Sequence, residues 1–267
     1  GSVEKGTTVC DFDPMEKEYG HSLGSSLVNF AWEDMRIHLI DTPGMPDFAG
    51  QSIAALAAVE TAVVVINAQN GIELNTTRMM KWAKNRGLCR MIVVNKIDAD
   101  NVDLPGLLRK LQDHFGKECL PINLPAHDRA DVVDCFFNPD GDSDFVGVKE
   151  AHKAIIEQVV EVDDDLMNLY LEQGEDLEPE QLHAPFEKAL REGHLVPVCF
   201  TSARTGAGIP QFLEILSRLA PNATEGNPPP FVKSESTEGV EFHAEPDPSK
   251  HVLAHVFKIV MDPYVGK

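Results

Sequence analysis

No apolar stretch in this chain approaches the roughly twenty residues a helix needs to cross a bilayer, and no signal peptide opens it, so neither membrane insertion nor secretion is expected. Cysteine is scarce: Cys10, Cys89, Cys119, Cys135 and Cys199 are odd in number, scattered and never spaced CxxC. That excludes a disulfide framework or a zinc site and points to reduced thiols in a cytoplasmic protein, most of them read as small apolar fillers. Positive charge is scarce too, with 23 Lys and Arg against 43 Asp and Glu and a formal net charge of −20. Such a balance excludes a phosphate-coating surface, so direct DNA binding is not expected. RNA contact would have to be local or come through sequence outside this chain. Solubility alone and an acidic docking surface both satisfy the excess.

What is present is a chain of 267 residues with 43% hydrophobic and 25% charged side chains. That is enough to bury a large core in more than one domain. Two short motifs carry chemistry. Asn95-Lys96-Ile97-Asp98 follows the apolar run Met91–Val94, and Asp41-Thr42-Pro43-Gly44 closes the run Ile37–Ile40. An aspartate at a strand end can accept two hydrogen bonds from the N1–H and exocyclic amine of guanine, a donor pair that adenine lacks. The Asn95 amide can address the far edge of the base and the Lys96 stem can cover its plane. In a DxxG segment the Asp holds a Mg²⁺-bound water, and the Gly N–H can meet a γ-phosphate. Either string alone is a common strand exit. Together, in this order, they point to guanine-nucleotide binding.

A third motif is missing. A site of this kind calls for G-x-x-x-x-G-K-[ST], whose backbone amides wrap the phosphates, and no such segment occurs. Either the chain starts downstream of its phosphate loop or the protein has lost it. The irregular character of residues 1–25 favours the first.

Along the chain, residues 1–25 are polar and irregular, with turn formers at Asp13-Pro14 and Gly20. Leu27–Trp32 and Arg36–Ile40 read as a hairpin around Glu33-Asp34, and Asp47–Val59 has helical spacing. Ala62–Ala68 reads as a strand buried on both faces. A helix near Glu73–Arg86, the Met91–Val94 strand and a helix near Leu104–Phe115 follow. This alternation implies α/β architecture with a mostly parallel sheet. The rhythm breaks over 116–193, where helical segments are expected at Val148–Gln173 and Glu178–Glu192. Between Glu150 and Glu180 stand eleven acids and one base, a solvated face or a docking surface. A strand at Leu195–Phe200, Thr201-Ser202-Ala203 and a helix near Ile209–Leu219 resume the pattern. The expected division is a nucleotide-binding domain in two parts, 1–115 and 194–221, an inserted subdomain 116–193, a linker 222–249 and a new module from 250 to 267, opened by a strand at Leu253–Val260.

Thr7-Thr8-Val9, Asp11-Phe12-Asp13-Pro14, Glu16-Lys17-Glu18, the segment Asp41–Phe48, the NKID motif and the closing Asp262–Lys267 resemble the bacterial elongation factor G family. The likeness is nearest to its divergent elongation factor G-like members. It implies a P-loop NTPase-type G domain with an inserted α+β subdomain and the start of a β-barrel domain. It also implies a cytoplasmic GTPase that acts on the ribosome and uses GTP/GDP and Mg²⁺. Residues 1–25 would be the first switch, and Asp41–Val59 the second switch with its helix. Nucleotide contacts would come from Asp41, Gly44, Asn95, Lys96, Asp98, Ser202 and Ala203, the last two through backbone N–H toward the guanine O6. The alternative for Ser202 is a plain loop serine. The inserted subdomain would face the ribosomal stalk proteins.

Two departures matter. The family's first switch carries a threonine that ligates Mg²⁺; here the aligned segment is Tyr19-Gly20-His21-Ser22, leaving Ser22 as a metal-ligand candidate beside Asp41. After DTPG the family's main members place a histidine that orients the attacking water, and this chain has Met45. A thioether neither donates a strong hydrogen bond nor takes up a proton, so no catalytic residue is assigned and GTP hydrolysis is expected to be slow. The alternative is a ribosome-binding regulatory G protein without useful turnover. The chain by itself is expected to bind GTP poorly and to be inactive: the resemblance implies a central strand before the phosphate loop, flanked by the DTPG strand and by Ala62–Ala68, and without it two buried edges would be left unpaired.

Overall fold

The computed structural model describes residues 2–173, 179–227, 231–232, 241–242, 245, 247–250 and 253–260. The chain divides into two units, one made of residues 1–60 and 223–267, the other of residues 61–222.

In the first unit, helix α1 (Pro14–Tyr19) forms where the sequence reads as irregular. The turn formers are its caps. Asp13 accepts from the Met15 amide at 2.8 Å, and Glu16 reaches back to the Asp13 amide at 3.2 Å, closing a capping box. Gly20 ends the helix at φ 70°, a conformation with little cost for glycine alone. The buried Glu16 carboxylate also accepts from the amides of Leu23 and Gly24. It thereby ties the helix to the chain that enters strand β1 (Ser26–Trp32). Strand β1 pairs antiparallel with β2 (Met35–Asp41), from Ser26 opposite Asp41 to Trp32 opposite Met35, and Glu33 turns the corner at φ 49°. No other described strand joins this hairpin. The helix expected over 47–59 is divided: a 3₁₀ turn at Pro46–Phe48, then α2 (Ala49–Ala55), then a second 3₁₀ turn at Leu56–Ala58.

The second unit carries the parallel sheet. Strand β3 (Thr61–Asn67) leads through α3 (Leu74–Asn85) to β4 (Cys89–Asn95), and α4 (Leu104–Phe115) then leads to β5 (Cys119–Pro121). Strands β6 (Asn123–Ala126) and β7 (Asp131–Asp134) form a hairpin, followed by α5 (Val148–Val160), α6 (Asp164–Gln173), α7 (Pro179–Glu192), β8 (Val196–Phe200) and α8 (Ile209–Arg218). The sheet order is β3-β4-β8-β5, parallel throughout. Strand β5 therefore lies in the main sheet although residues 119–121 fall inside 116–193. Strand β4 is buried from Cys89 to Val94, as a central parallel strand must be.

Strand β3 corrects an expectation. It is not covered on both faces: Ala62, Val64 and Ile66 are buried, while Val65 is 61% exposed. Among the described residues β3 pairs only with β4, so it is an edge strand with one open face. Its run looks like that of a central strand, because Ala62 to Ile66 are all apolar whichever face they take.

Residues 148–173 form two helices, not one. Asp163 accepts from the Leu166 amide at 2.9 Å and caps α6, which begins with Asp164 and Asp165. Acids at this end suit the helix dipole, so part of the acidic run has a structural purpose. Helices α5 and α7 bury Ile155, Ile156, Val159, Phe186 and Leu190 almost completely. Phe136 packs on Phe186 with ring centroids 4.7 Å apart. All five cysteines are free thiols. Burial pushes Cys119, Cys135 and Cys199 up to about 12, so they stand as protonated filler.

Towards the C-terminus a two-residue antiparallel ladder joins β9 (Phe231–Val232) and β10 (Glu241–Phe242) inside the stretch read as linker. Residues 253–260, where a strand is expected, carry neither helix nor strand. The motif Asp262–Lys267 and the triplet Pro228–Pro230 lie outside the described residues.

Candidate functional site

The carboxyl ends of β4 and β8 are neighbours in the sheet, and that brings the NKID loop against Ser202 and Ala203. Ile97 anchors the loop: its side chain is fully buried and its amide donates to the Thr201 carbonyl at 3.2 Å. Lys96 takes a left-handed conformation at φ 65°, which the Asn95 side chain stabilises by accepting from the Lys96 amide at 2.8 Å. The same Asn95 oxygen accepts from the Ala203 amide at 3.0 Å and so ties the two loops together. Asp98 accepts from the Ser202 hydroxyl through one oxygen and pairs with the Arg204 guanidinium through the other, both at 2.5 Å. The Ser202 hydroxyl bond, joined by Arg204, holds the Asp98 carboxyl below the usual carboxylate range. It is therefore ionised at neutral pH, as a reader of two N–H donors has to be.

Five expected residues thus meet in one place. One role changes. Ser202 was expected to act through its N–H, but that amide donates to the Ala207 carbonyl at 2.8 Å, and Ser202 serves the site through its hydroxyl. An open cleft of about 440 Å³ lies over these groups, lined by Gln69, Asn95, Lys96, Asp98, Ala203 and Arg204 among others.

Several supporting residues carry no local signal in the sequence. Gln69 donates to the Asp100 carbonyl at 3.2 Å, and Arg129 donates to the Ala99 carbonyl at 2.9 Å, so the NKID loop is held from both sides. Arg129 comes from the β6–β7 turn, where His127, Asp128 and Arg129 all have positive φ (54°, 56° and 66°). Such conformations are uncommon for residues with a side chain. Here Asp144 stabilises them by accepting from the amides of Asp128 and Arg129. Gly208 opens α8 at φ 73°, and a Cβ there would stand 2.2 Å from the Phe200 carbonyl oxygen. Only glycine permits that close return of the chain.

Asn123 is the most consequential of these. It is fully buried and imitates a backbone partner for β8, donating to the Phe200 carbonyl at 3.2 Å and accepting from its amide at 2.7 Å. Replacing Asn123 with Leu removes this partner from both groups at the end of β8. A loss of ~2–4 kcal/mol is expected, since each buried orphan costs about 1–3 kcal/mol. Urea unfolding followed by circular dichroism would measure it, and a loss below ~0.5 kcal/mol would contradict this role.

The other expected ligands lie in the first unit. Asp41 ends β2, and burial raises its carboxyl above the usual range, with the Cys10 thiol bond opposing and the neighbouring Asp11 reinforcing the rise. Ser22 donates to Asp11 at 2.7 Å, and Thr8 donates to the other Asp11 oxygen at 2.9 Å. Ser22 is therefore engaged with Asp11, a carboxylate that sequence reasoning did not single out. Ser52 of α2 donates to the Pro43 carbonyl at 3.1 Å and fixes the DTPG turn, in which Gly44 sits. Among the described residues no group of three or more His, Cys, Asp or Glu converges on one point. A Mg²⁺ site does not require one, because this ion keeps several waters and takes one or two carboxylates plus phosphate oxygens. Asp41, whose carboxyl is raised by burial and by the charge of the nearby Asp11, fits that description.

Comparison with known proteins agrees with this arrangement. Residues 1–222 match the family model described as the elongation factor Tu GTP binding domain. An elongation factor G-like protein of Mycobacterium tuberculosis is 33% identical over 281 residues, covering 100% of this chain and 39% of the relative. An elongation factor G of Fervidobacterium nodosum is 32% identical over 286 residues, covering 100% of this chain and 41% of the relative. This chain thus spans about two fifths of the relatives' length. A crystal structure of a Thermus thermophilus protein superposes with a TM-score of 0.75 at 32% identity, over 86% of this chain and 37% of that one. With an α/β domain built on a parallel sheet, and the NKID and DTPG motifs at strand ends, the chain belongs to the elongation factor Tu GTP-binding-domain family, on its elongation factor G branch.

Proposed function

We propose that this chain is the guanine-nucleotide-binding part of an elongation factor G-like protein that acts on the ribosome in the cytoplasm and hydrolyses GTP slowly. The observation that carries the reading is Asp98, ionised and held by Ser202 at the mouth of a cleft between two parallel-strand ends. The carboxylate would take the two donor groups of guanine, and the Lys96 stem would cover the base. The Ala203 amide, which donates to the Asn95 side-chain oxygen in this structure, would have to turn from it to donate to the base's O6. Asp41 would hold Mg²⁺ through water, with Ser22 as a further candidate ligand, and the Gly44 amide would meet the γ-phosphate. The ion supplies charge neutralisation at the phosphates when bound. Residues 116–193 would face the stalk proteins of the ribosome. The remainder would follow the division 1–115, 194–221, 222–249 and 250–267.

Met45 favours a second reading, a regulatory G protein that occupies the ribosome without useful turnover. Met45 is 43% exposed just after the DTPG turn, and its thioether offers no proton chemistry. Sedimentation of the intact protein with ribosomes separates the two. Retention under GTP or a non-hydrolysable analogue, with release under GDP, is expected of a switching factor. Equal retention under all nucleotides supports the second reading, and no retention under any overturns both.

A further inference from the structure

The pair between Asp98 and Arg204 has a chemical meaning of its own. A guanidinium is a rigid plane that offers neighbouring N–H donors in a fork. The Watson–Crick edge of guanine offers the same thing: N1–H and a 2-amino N–H, coplanar and side by side. In this structure Asp98 already has one oxygen on the Ser202 hydroxyl and the other on the Arg204 Nη2, at 2.5 Å each. The two partners differ in kind. Ser202 is completely buried and cannot leave without moving the loop, whereas the Arg204 side chain is 79% exposed. Arg204 also lines the open cleft, the side from which a base arrives.

We propose that Arg204 sets nucleotide affinity by occupying the Oδ2 oxygen of Asp98 in the nucleotide-free protein, where its Nη2–H is an internal stand-in for one of the two guanine donors that displace it on entry. The proposal rests on the base-site reading of Asp98 given above. An occupied carboxylate lowers apparent affinity in proportion to the fraction of molecules in which it is occupied. Exposed ion pairs are weak and screened by salt, so the effect is modest and has a definite sign.

The test is stopped-flow binding of a fluorescent GDP analogue to the intact protein and its Arg204→Ala and Arg204→Lys variants. Arg204→Ala is expected to bind about two- to fivefold more tightly, with faster association and unchanged dissociation. Arg204→Lys, a point charge without the planar fork, is expected to fall between. Raising the salt concentration should shrink the gap between the wild type and Arg204→Ala. A variant that binds equally well, or that binds more weakly through faster dissociation, overturns the proposal; the second result would mean that the guanidinium supports the bound base. A generally damaged fold cannot imitate a gain in affinity. GDP against XDP, measured in the same series, keeps the two readings apart. A wild-type protein without guanine preference sinks the base-site reading and this proposal with it. Guanine preference with an affinity indifferent to Arg204 sinks this proposal alone.

Discussion

Replacing Asp98 with Asn is expected to turn the intact protein from guanine toward xanthine nucleotides, by roughly a hundredfold or more in the ratio of affinities. A carboxylate meets guanine's two N–H groups with two acceptors. A carboxamide offers one acceptor and one donor, which suits the N1–H and 2-oxo edge of xanthine instead. Hydrogen bonds to a charged group contribute about 1.5–3 kcal/mol each, and an unmatched donor pair adds its own desolvation cost. Exchanging one matched contact for one clash therefore amounts to about a hundredfold or more. The fold should tolerate the change, because Asn keeps an oxygen for the Ser202 hydroxyl, and the Arg204 pair it loses is largely solvent-facing. Competition of GDP and XDP against a fluorescent nucleotide measures the ratio. Discrimination that stays the same in the variant would remove the basis for a guanine site here.

Restoring an imidazole at position 45 is the second large expectation: Met45→His should accelerate single-turnover GTP cleavage on ribosomes by ~10²-fold. Met45 precedes the 3₁₀ turn Pro46–Phe48 in an extended conformation (φ −74°, ψ 138°) and makes no side-chain cap. Histidine can adopt that backbone without strain, and no described capping bond is lost. The gain would come from an imidazole able to orient or accept a proton from the attacking water, which a thioether cannot do. Quench-flow with radiolabelled GTP reads the rate. A variant no faster than the wild type would mean that the missing imidazole does not limit turnover. It would shift the explanation toward the altered first switch, Tyr19–Ser22.

Much of the candidate base site was legible because its chemistry is local. Asn95, Lys96 and Asp98 are near neighbours in the chain, and an apolar run of about strand length announces that they sit at a strand end. Ser202 and Ala203 were legible for the same reason, although the serine's contacts in this structure are not those the resemblance implies. Whether it used its amide or its hydroxyl depended on Ala207, whose carbonyl takes that amide only once the Thr205–Gly208 turn has closed. The turn formers Asp13-Pro14 and Gly20 at the ends of α1 were visible, yet a helix of six residues shows too little periodicity to betray itself. Strand β3 misled because an apolar run such as Ala62–Ile66 looks alike at the centre and at the edge of a sheet.

Sequence alone determined which residues could recognise a guanine edge or hold a hard cation, since hydrogen-bonding capacity and charge belong to a side chain wherever it lies. It also determined the α/β alternation, since apolar periodicity is a local property. Tertiary structure alone decided the sheet order β3-β4-β8-β5 and the pairing of Arg204 with Asp98. It also decided the support of the site by Asn123 and Arg129, which lie 77 and 30 residues from their partners Phe200 and Ala99. Contacts at such separations depend on how strands pair and turns close, and no local pattern in the chain records that.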